Sequence, residues 1–179
     1  MGNGYNKIFW GLIFVTCHIN LGSIQILPNF IGYIIIYAGI QSLFEEYKIK
    51  SLEQSAKCSS ILSFMSFVIL GMTFAGSESI INNVFFNLIW MNIIGIVEIL
   101  MIYKLLDGSS EILKNKENNL QGSFSNKISI YVILSSIVIV GNNINYVFMS
   151  KALVIVTAIL ALALKVWIIV LNRKMYTSN

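Results

Sequence analysis

The chain has 179 residues, 56% of them hydrophobic and only 11% charged, against about 25% charged in an ordinary soluble domain. A water-soluble fold of that composition would leave large apolar patches exposed, which excludes that class and points to a single membrane-embedded domain. The net charge of +4 is spread over connections, and no basic cluster is interleaved with aromatics, so a nucleic-acid surface is excluded as well.

In chain order, the first apolar run predicts a helix over about Tyr5–Leu21. Lys7 followed by eight apolar or glycine residues has signal-peptide character. No small-x-small site follows, and an uncleaved first helix is expected. An uncharged connection, Gly22-Ser23-Ile24-Gln25, leads to Pro28, the chain's one proline. Proline is tolerated at a helix start, where its missing N–H would have no partner, so a second helix is expected over about Asn29–Phe44. The segment Gly22–Asn29 reads either as a loop or as a short re-entrant piece.

A charged loop, Glu45–Ser55, precedes a third helix expected over about Ala56–Phe74. A tight Gly76-Ser77-Glu78-Ser79 connection introduces a fourth, about Ile80–Tyr103. The polar segment Asp107–Asn126, rich in Gly, Ser and Asn, reads as a loop with one helical turn near Glu111. Helices over about Ile128–Tyr146 and Ala152–Leu171 complete the set. Each is near the ~20 residues that cross a bilayer, the second being shortest. The run Ile128–Val140 does not alternate polar with apolar, which excludes a transmembrane barrel.

Lys and Arg fall unevenly among these connections. Lys7, Lys48, Lys50, Lys57, Lys104, Lys114, Lys116, Lys127, Arg173 and Lys174 share one side of six spans, and Lys151 stands on the other. Positive loops stay cytoplasmic. The expected fold is therefore all-α: a bundle of six transmembrane helices with both termini cytoplasmic, in a bacterial cytoplasmic membrane.

Polar residues inside apolar helices are the candidates for function, because an ionised group in hydrocarbon must face protein, water or a partner charge. Glu98 interrupts the fourth helix, and at 100° per residue it shares a stripe with Asn83 and Asn87. Lys165 interrupts the sixth at a similar expected depth. It either pairs with Glu98 or snorkels to the interface. Ala158 and Ala161 share its face, which favours packing against protein.

On the outer side His18, Asn20, Asn29, Glu78, Asn142, Asn143 and Asn145 lie near expected helix ends. The ligand-binding candidates are thus His18, Asn29, Asn83, Asn87, Glu98, Asn142 and Lys165, with Pro28-Asn29 as the floor of an outer vestibule. Ser55, Ser59, Ser63, Ser66 and Thr73 lie on one face of the third helix. With Gly32, Gly39, Gly71 and Ala75 they read as packing surfaces, or as the lining of a small cavity.

No metal site is expected, since His18 is the lone histidine and no Cys/His spacing supplies further ligands. Cys17 and Cys58 fall near opposite membrane faces, too far apart for a disulfide. Enzyme signatures are missing: there is no G-x-S-x-G turn, H-E-x-x-H pair or P-loop. Glu45-Glu46 is similar to the paired glutamates of CAAX-type membrane proteases, whose histidine motifs this chain lacks.

The run Ile26-Leu27-Pro28-Asn29-Phe30-Ile31-Gly32-Tyr33-Ile34-Ile35, followed by Gly39, resembles a motif of small uncharacterised multi-pass membrane proteins of Firmicutes. Asn29 stands where that pattern often has aspartate. The resemblance implies a source and no mechanism. In span number, length and orientation the chain also resembles the substrate-binding subunits of energy-coupling-factor vitamin transporters. Those present Ala-x-x-x-Ala on their first helix, whereas here that helix holds Gly11, Thr16 and Cys17 and no alanine.

Two functions follow as expectations. One is a non-catalytic binding or interaction module without cofactors, working through helix packing with a membrane-protein partner or as a homo-oligomer. The other is a transport component with a small-molecule ligand between its helices.

Overall fold

The computed structural model describes residues 2–16, 20–21, 24–25, 29–77, 83–115, 121–148 and 150–177. Six helices carry the fold: α1 (Gly2–Thr16), α2 (Asn29–Tyr47), α3 (Lys50–Phe74), α4 (Val84–Asn115), α5 (Gln121–Phe148) and α6 (Lys151–Thr177). Between α1 and α2 two short antiparallel strands, β1 (Asn20–Leu21) and β2 (Ile24–Gln25), pair Asn20 with Gln25 and Leu21 with Ile24. Helix dominates the described residues because apolar surroundings offer backbone groups no outside partner, and a helix satisfies them within one segment.

Among the described residues four helices are long and apolar enough to cross a membrane, as a multi-pass protein requires: Lys50–Phe74, Val84–Lys114, Asn126–Asn145 and Lys151–Arg173. Helices α1 and α2 are shorter, at 15 and 19 residues. Each helix packs on its neighbours in sequence, and α6 returns onto α1, so the six form a closed up-and-down ring. Asn172 seals that closure from within α6 by donating its buried amide N–H to the Tyr5 carbonyl at 2.9 Å.

The α1/α2 seam is the tightest, and glycines make it so. Gly4 and Gly11 on α1 meet Gly39 and Gly32 on α2 in antiparallel register. A Cβ on Gly11 would stand 2.8 Å from the Gly32 carbonyl oxygen, and one on Gly39 would stand 2.7 Å from that of Gly4. Spacing of seven residues on both helices places each pair on one face. Serines join α3 to its neighbours: Ser59 Oγ donates to the Tyr33 carbonyl and Ser55 Oγ to that of Met101, both at 2.8 Å. Ser63 Oγ donates to the Phe30 carbonyl at 3.2 Å. These are the packing roles expected for Gly32, Gly39, Ser55, Ser59 and Ser63. Gly71 differs: nothing lies within 4 Å of where its Cβ would be, and Ala75 is exposed.

Three expected boundaries change. The first helix ends at Thr16, and its expected last turn gives way to the β1–β2 pair. The loop Glu45–Ser55 shrinks to Lys48 and Ile49, with Lys48 left-handed at φ 56 and Ile49 buried against the core. The segment expected to loop over 107–126 is mostly helix, with α4 running on to Asn115 and α5 beginning at Gln121. Ile112 and Leu113 are fully buried there, and Gly108 lets Leu52 of α3 approach to contact. Burying those side chains outweighs the ~1 kcal/mol that a mid-helix glycine costs.

Other ends follow local signals. Gly76, at φ +68, closes α3 as the Ser77 N–H reaches back to the Met72 carbonyl, a left-handed cap suited to glycine. Asn83 caps α4, its Oδ1 accepting the N–H groups of Phe85 and Phe86 at 3.0 and 3.2 Å.

The core is uneven along the ring. Tyr5, Ile8, Leu43, Leu52, Leu105 and Leu113 are sealed from solvent at the end carrying the chain termini. Toward the β1–β2 end the packing loosens.

Candidate functional site

The loosening follows a pattern along single helix faces. Asn87, Ile94, Glu98, Met101, Leu105 and Ile112 share one side of α4, by their spacing of seven, four, three, four and seven. The last three are buried and the first three are only half-buried. The opposite side of α4 carries Phe85, Ile89, Ile96 and Leu100, all exposed. On α5, Tyr131, Ser135 and Val138 are buried while Asn142, one step further along the same side, is exposed. On α3, Ser55, Ser59 and Leu62 are buried, Ser66 is half-buried and Thr73 exposed. Three helices therefore carry polar groups whose burial falls away above Met101 toward the β1–β2 end, and the interior between them there is the candidate crevice.

An ion pair forms its floor. Lys165 Nζ of α6 lies 3.5 Å from Glu98 Oε1 of α4, with the side chains 34% and 23% exposed. Glu98 is also within electrostatic reach of the Tyr33 hydroxyl on α2 and the Tyr131 hydroxyl on α5, and Ser135 sits beside the latter. Among the described residues the direct contact of the carboxylate is with α6, and the two hydroxyls act on it only through the field. Because α4 extends to Asn115, Glu98 is a mid-helix residue, and Lys165 stands well inside Lys151–Thr177. Of the two readings of Lys165, the pair is the one observed. Snorkelling suits a lysine close to a helix end, and here the amine turns to a carboxylate.

Above the floor α4 and α5 are locked by a contact that sequence reasoning missed. Asn92 and Asn143 exchange two amide hydrogen bonds, each 2.8 Å, and Asn92 also donates to the Leu88 carbonyl of its own helix at 2.7 Å. In the sequence Asn143 falls among the outer asparagines, and the one signal for Asn92 is an amide placed inside an apolar helix. Gly95 and Gly141 bring the neighbouring helices close, to Ile139 and Thr157 respectively.

The remaining candidates separate by role. Asn87 and Asn142 lie on the inward-turned sides of α4 and α5, the first half-buried and the second exposed. Asn83 does not, because its side chain is engaged as the α4 cap and leaves the stripe it was expected to share with Glu98. Asn29 opens α2 with its Oδ1 buried and unpartnered among the described residues. His18, Pro28 and Glu78 lie outside the described residues, as does Cys17, so the expected vestibule floor at Pro28-Asn29 is described only at Asn29. Cys58 is a free thiol.

A concavity of about 430 Å³ lies outside the ring between α2 and α3, lined by Phe30, Ile34, Tyr37, Ser60, Phe64 and Phe67 among others. Its rim is exposed and apolar, and it holds no charged group, so it lacks the chemistry of the crevice. Among the described residues no three His, Cys, Asp or Glu side chains converge as metal ligands.

No family model matches the chain, and no curated protein or solved structure matches it either.

Proposed function

We propose that the chain is a six-span protein of a bacterial cytoplasmic membrane, cytoplasmic at both ends, and that it is a non-catalytic binding module whose site is the crevice floor. Orientation rests on the ten cationic side chains that six spans gather on one side. The short helices α1 and α2 complete the spans, held face to face by their glycines. The exposed apolar stripes, such as Phe85, Ile89 and Ile96 on α4, then face lipid.

The observation that carries the function is the Glu98–Lys165 pair. Two charges at mid-helix cost several kcal/mol each to desolvate, and apolar side chains of similar volume commonly serve stability as well or better. Intramembrane ionisable groups facing a bundle interior mark binding or conduction sites. Both side chains also keep partial exposure, at 34% for Lys165 and 23% for Glu98, so the pair is not sealed within the bundle.

Native mass spectrometry of the gently extracted protein tests the reading. A retained small molecule that disappears in the Glu98→Gln variant supports it. A co-purifying membrane protein or second copy, with no ligand, transfers the function to helix packing. Neither species bound refutes both.

A transport role is the second reading, favoured by one feature: the crevice ends near the middle of the spans, the depth at which transporters hold their substrates. Reconstituted vesicles that accumulate the retained molecule would establish it.

A further inference from the structure

We propose that the crevice floor takes a small zwitterion, a molecule carrying an ammonium and a carboxylate a few bonds apart, such as a free amino acid. Its ammonium sits at Glu98 and its carboxylate at Lys165. The inference rests on the binding-site reading above and names the ligand class for it.

Three observations lead there. First, the pair is loose. Its single contact is 3.5 Å, against 2.6 Å for the surface pair Lys57–Glu53, and neither Glu98 nor Lys165 hydrogen-bonds another described residue. A carboxylate offers about four acceptor sites and an ammonium three donors, so their mutual contact engages only a small part of what each can bond.

Second, charge balance selects the ligand. A simple anion that takes Lys165 leaves Glu98 unpaired in a poorly solvated place, and a simple cation at Glu98 strands Lys165. Either outcome is costly. An uncharged molecule engages neither. A zwitterion inserted between them satisfies both charges at once and leaves none orphaned.

Third, the surroundings are small or uncharged. Ala161 lies one turn from Lys165, and Ile94 lies one turn from Glu98, both only half-buried. The Tyr33 and Tyr131 hydroxyls, within electrostatic reach of the carboxylate, add no charge.

The test uses the full chain in lipid nanodiscs, free of native cysteines by Cys17→Ala and Cys58→Ala, with Asn142→Cys as reporter on the crevice wall. A membrane-impermeant maleimide reads accessibility, and the probes are the twenty common amino acids, added singly at millimolar concentration. For each hit, the matching carboxylic acid without its amine and the matching amine without its carboxylate serve as controls.

The expected result is reporter labelling that one or more amino acids slow, with the single-charge controls inactive. Protection should weaken about thirtyfold or more in concentration on Glu98→Gln or Lys165→Met. An unreactive reporter would overturn the crevice itself. A reactive reporter that no amino acid protects, or that the single-charge controls protect equally, would overturn the zwitterion alone. Should a single variant misfold, the reversed pair, Glu98→Lys with Lys165→Glu, keeps both charges and must still be protected.

Discussion

Gly11→Ala adds one methyl group to the tightest seam in the protein. That carbon would stand 2.6 Å from Ile36 Cγ1, 2.8 Å from the Gly32 carbonyl oxygen and 2.9 Å from the Ile36 backbone nitrogen. Ordinary carbon contacts lie at about 3.5–4.0 Å. Ile36 is fully buried and cannot swing aside, and the other two atoms are backbone. Relief requires α1 to move off α2, which also parts Gly4 from Gly39. Overpacking of this kind costs about 1–3 kcal/mol, and obstruction by backbone places it at the upper end. Alanine returns up to ~1 kcal/mol through its better helix propensity, so the net loss is about 2 kcal/mol.

Gly71→Ala is the control, since its added carbon meets nothing within 4 Å. It should be neutral or gain up to ~1 kcal/mol. Thermal unfolding of the purified protein in one detergent, followed by helical circular dichroism, compares the two. At about 2–4 °C per kcal/mol for a chain of this length, Gly11→Ala should melt roughly 4–8 °C below the parent, and Gly71→Ala at or above it. A Gly11→Ala variant as stable as the parent would refute the reasoning. So would equal losses from both.

Asn92→Ala and Asn143→Ala should each cost about 0.6–2 kcal/mol, and the double variant little more than either, because one deletion already empties both bonds; denaturant unfolding that finds additive losses would contradict the reciprocal pair. For Glu98→Gln and Lys165→Met, a double-mutant cycle should return a coupling of about 1 kcal/mol, modest because both groups keep some solvent. Strict additivity would remove the ion pair. In intact cells of a cysteine-free background, Asn115→Cys should resist an impermeant thiol reagent and react only after permeabilisation; labelling from outside would invert the proposed orientation.

Much of this was legible in the residues. The six helices could be placed because continuous apolar runs near bilayer length have one economical conformation. Glu98 and Lys165 stood out because an ionisable group in such a run needs a reason, and matched depth suggested their pairing. What the runs concealed was where the helices stop. Gly108, Ser109 and Ser110 read as loop, yet Ser109 is sealed from solvent and Gly108 seats Leu52. Local composition cannot register a neighbour brought from fifty residues away.

Amino-acid order alone determined that this chain is helical and apolar, which sides its helices expose and where its charges interrupt them, since those properties are carried by each segment's own side chains. Tertiary structure decided the rest. Asn83 became a cap and Asn92 a bridge, Gly11 found Gly32, and α6 closed on α1 through Asn172. It also decided how burial falls off along α4, so that the same helix face buries Met101 and leaves Glu98 partly exposed. The physical reason is that burial belongs to the space between helices, set by how closely neighbouring backbones approach, and no single helix contains that information.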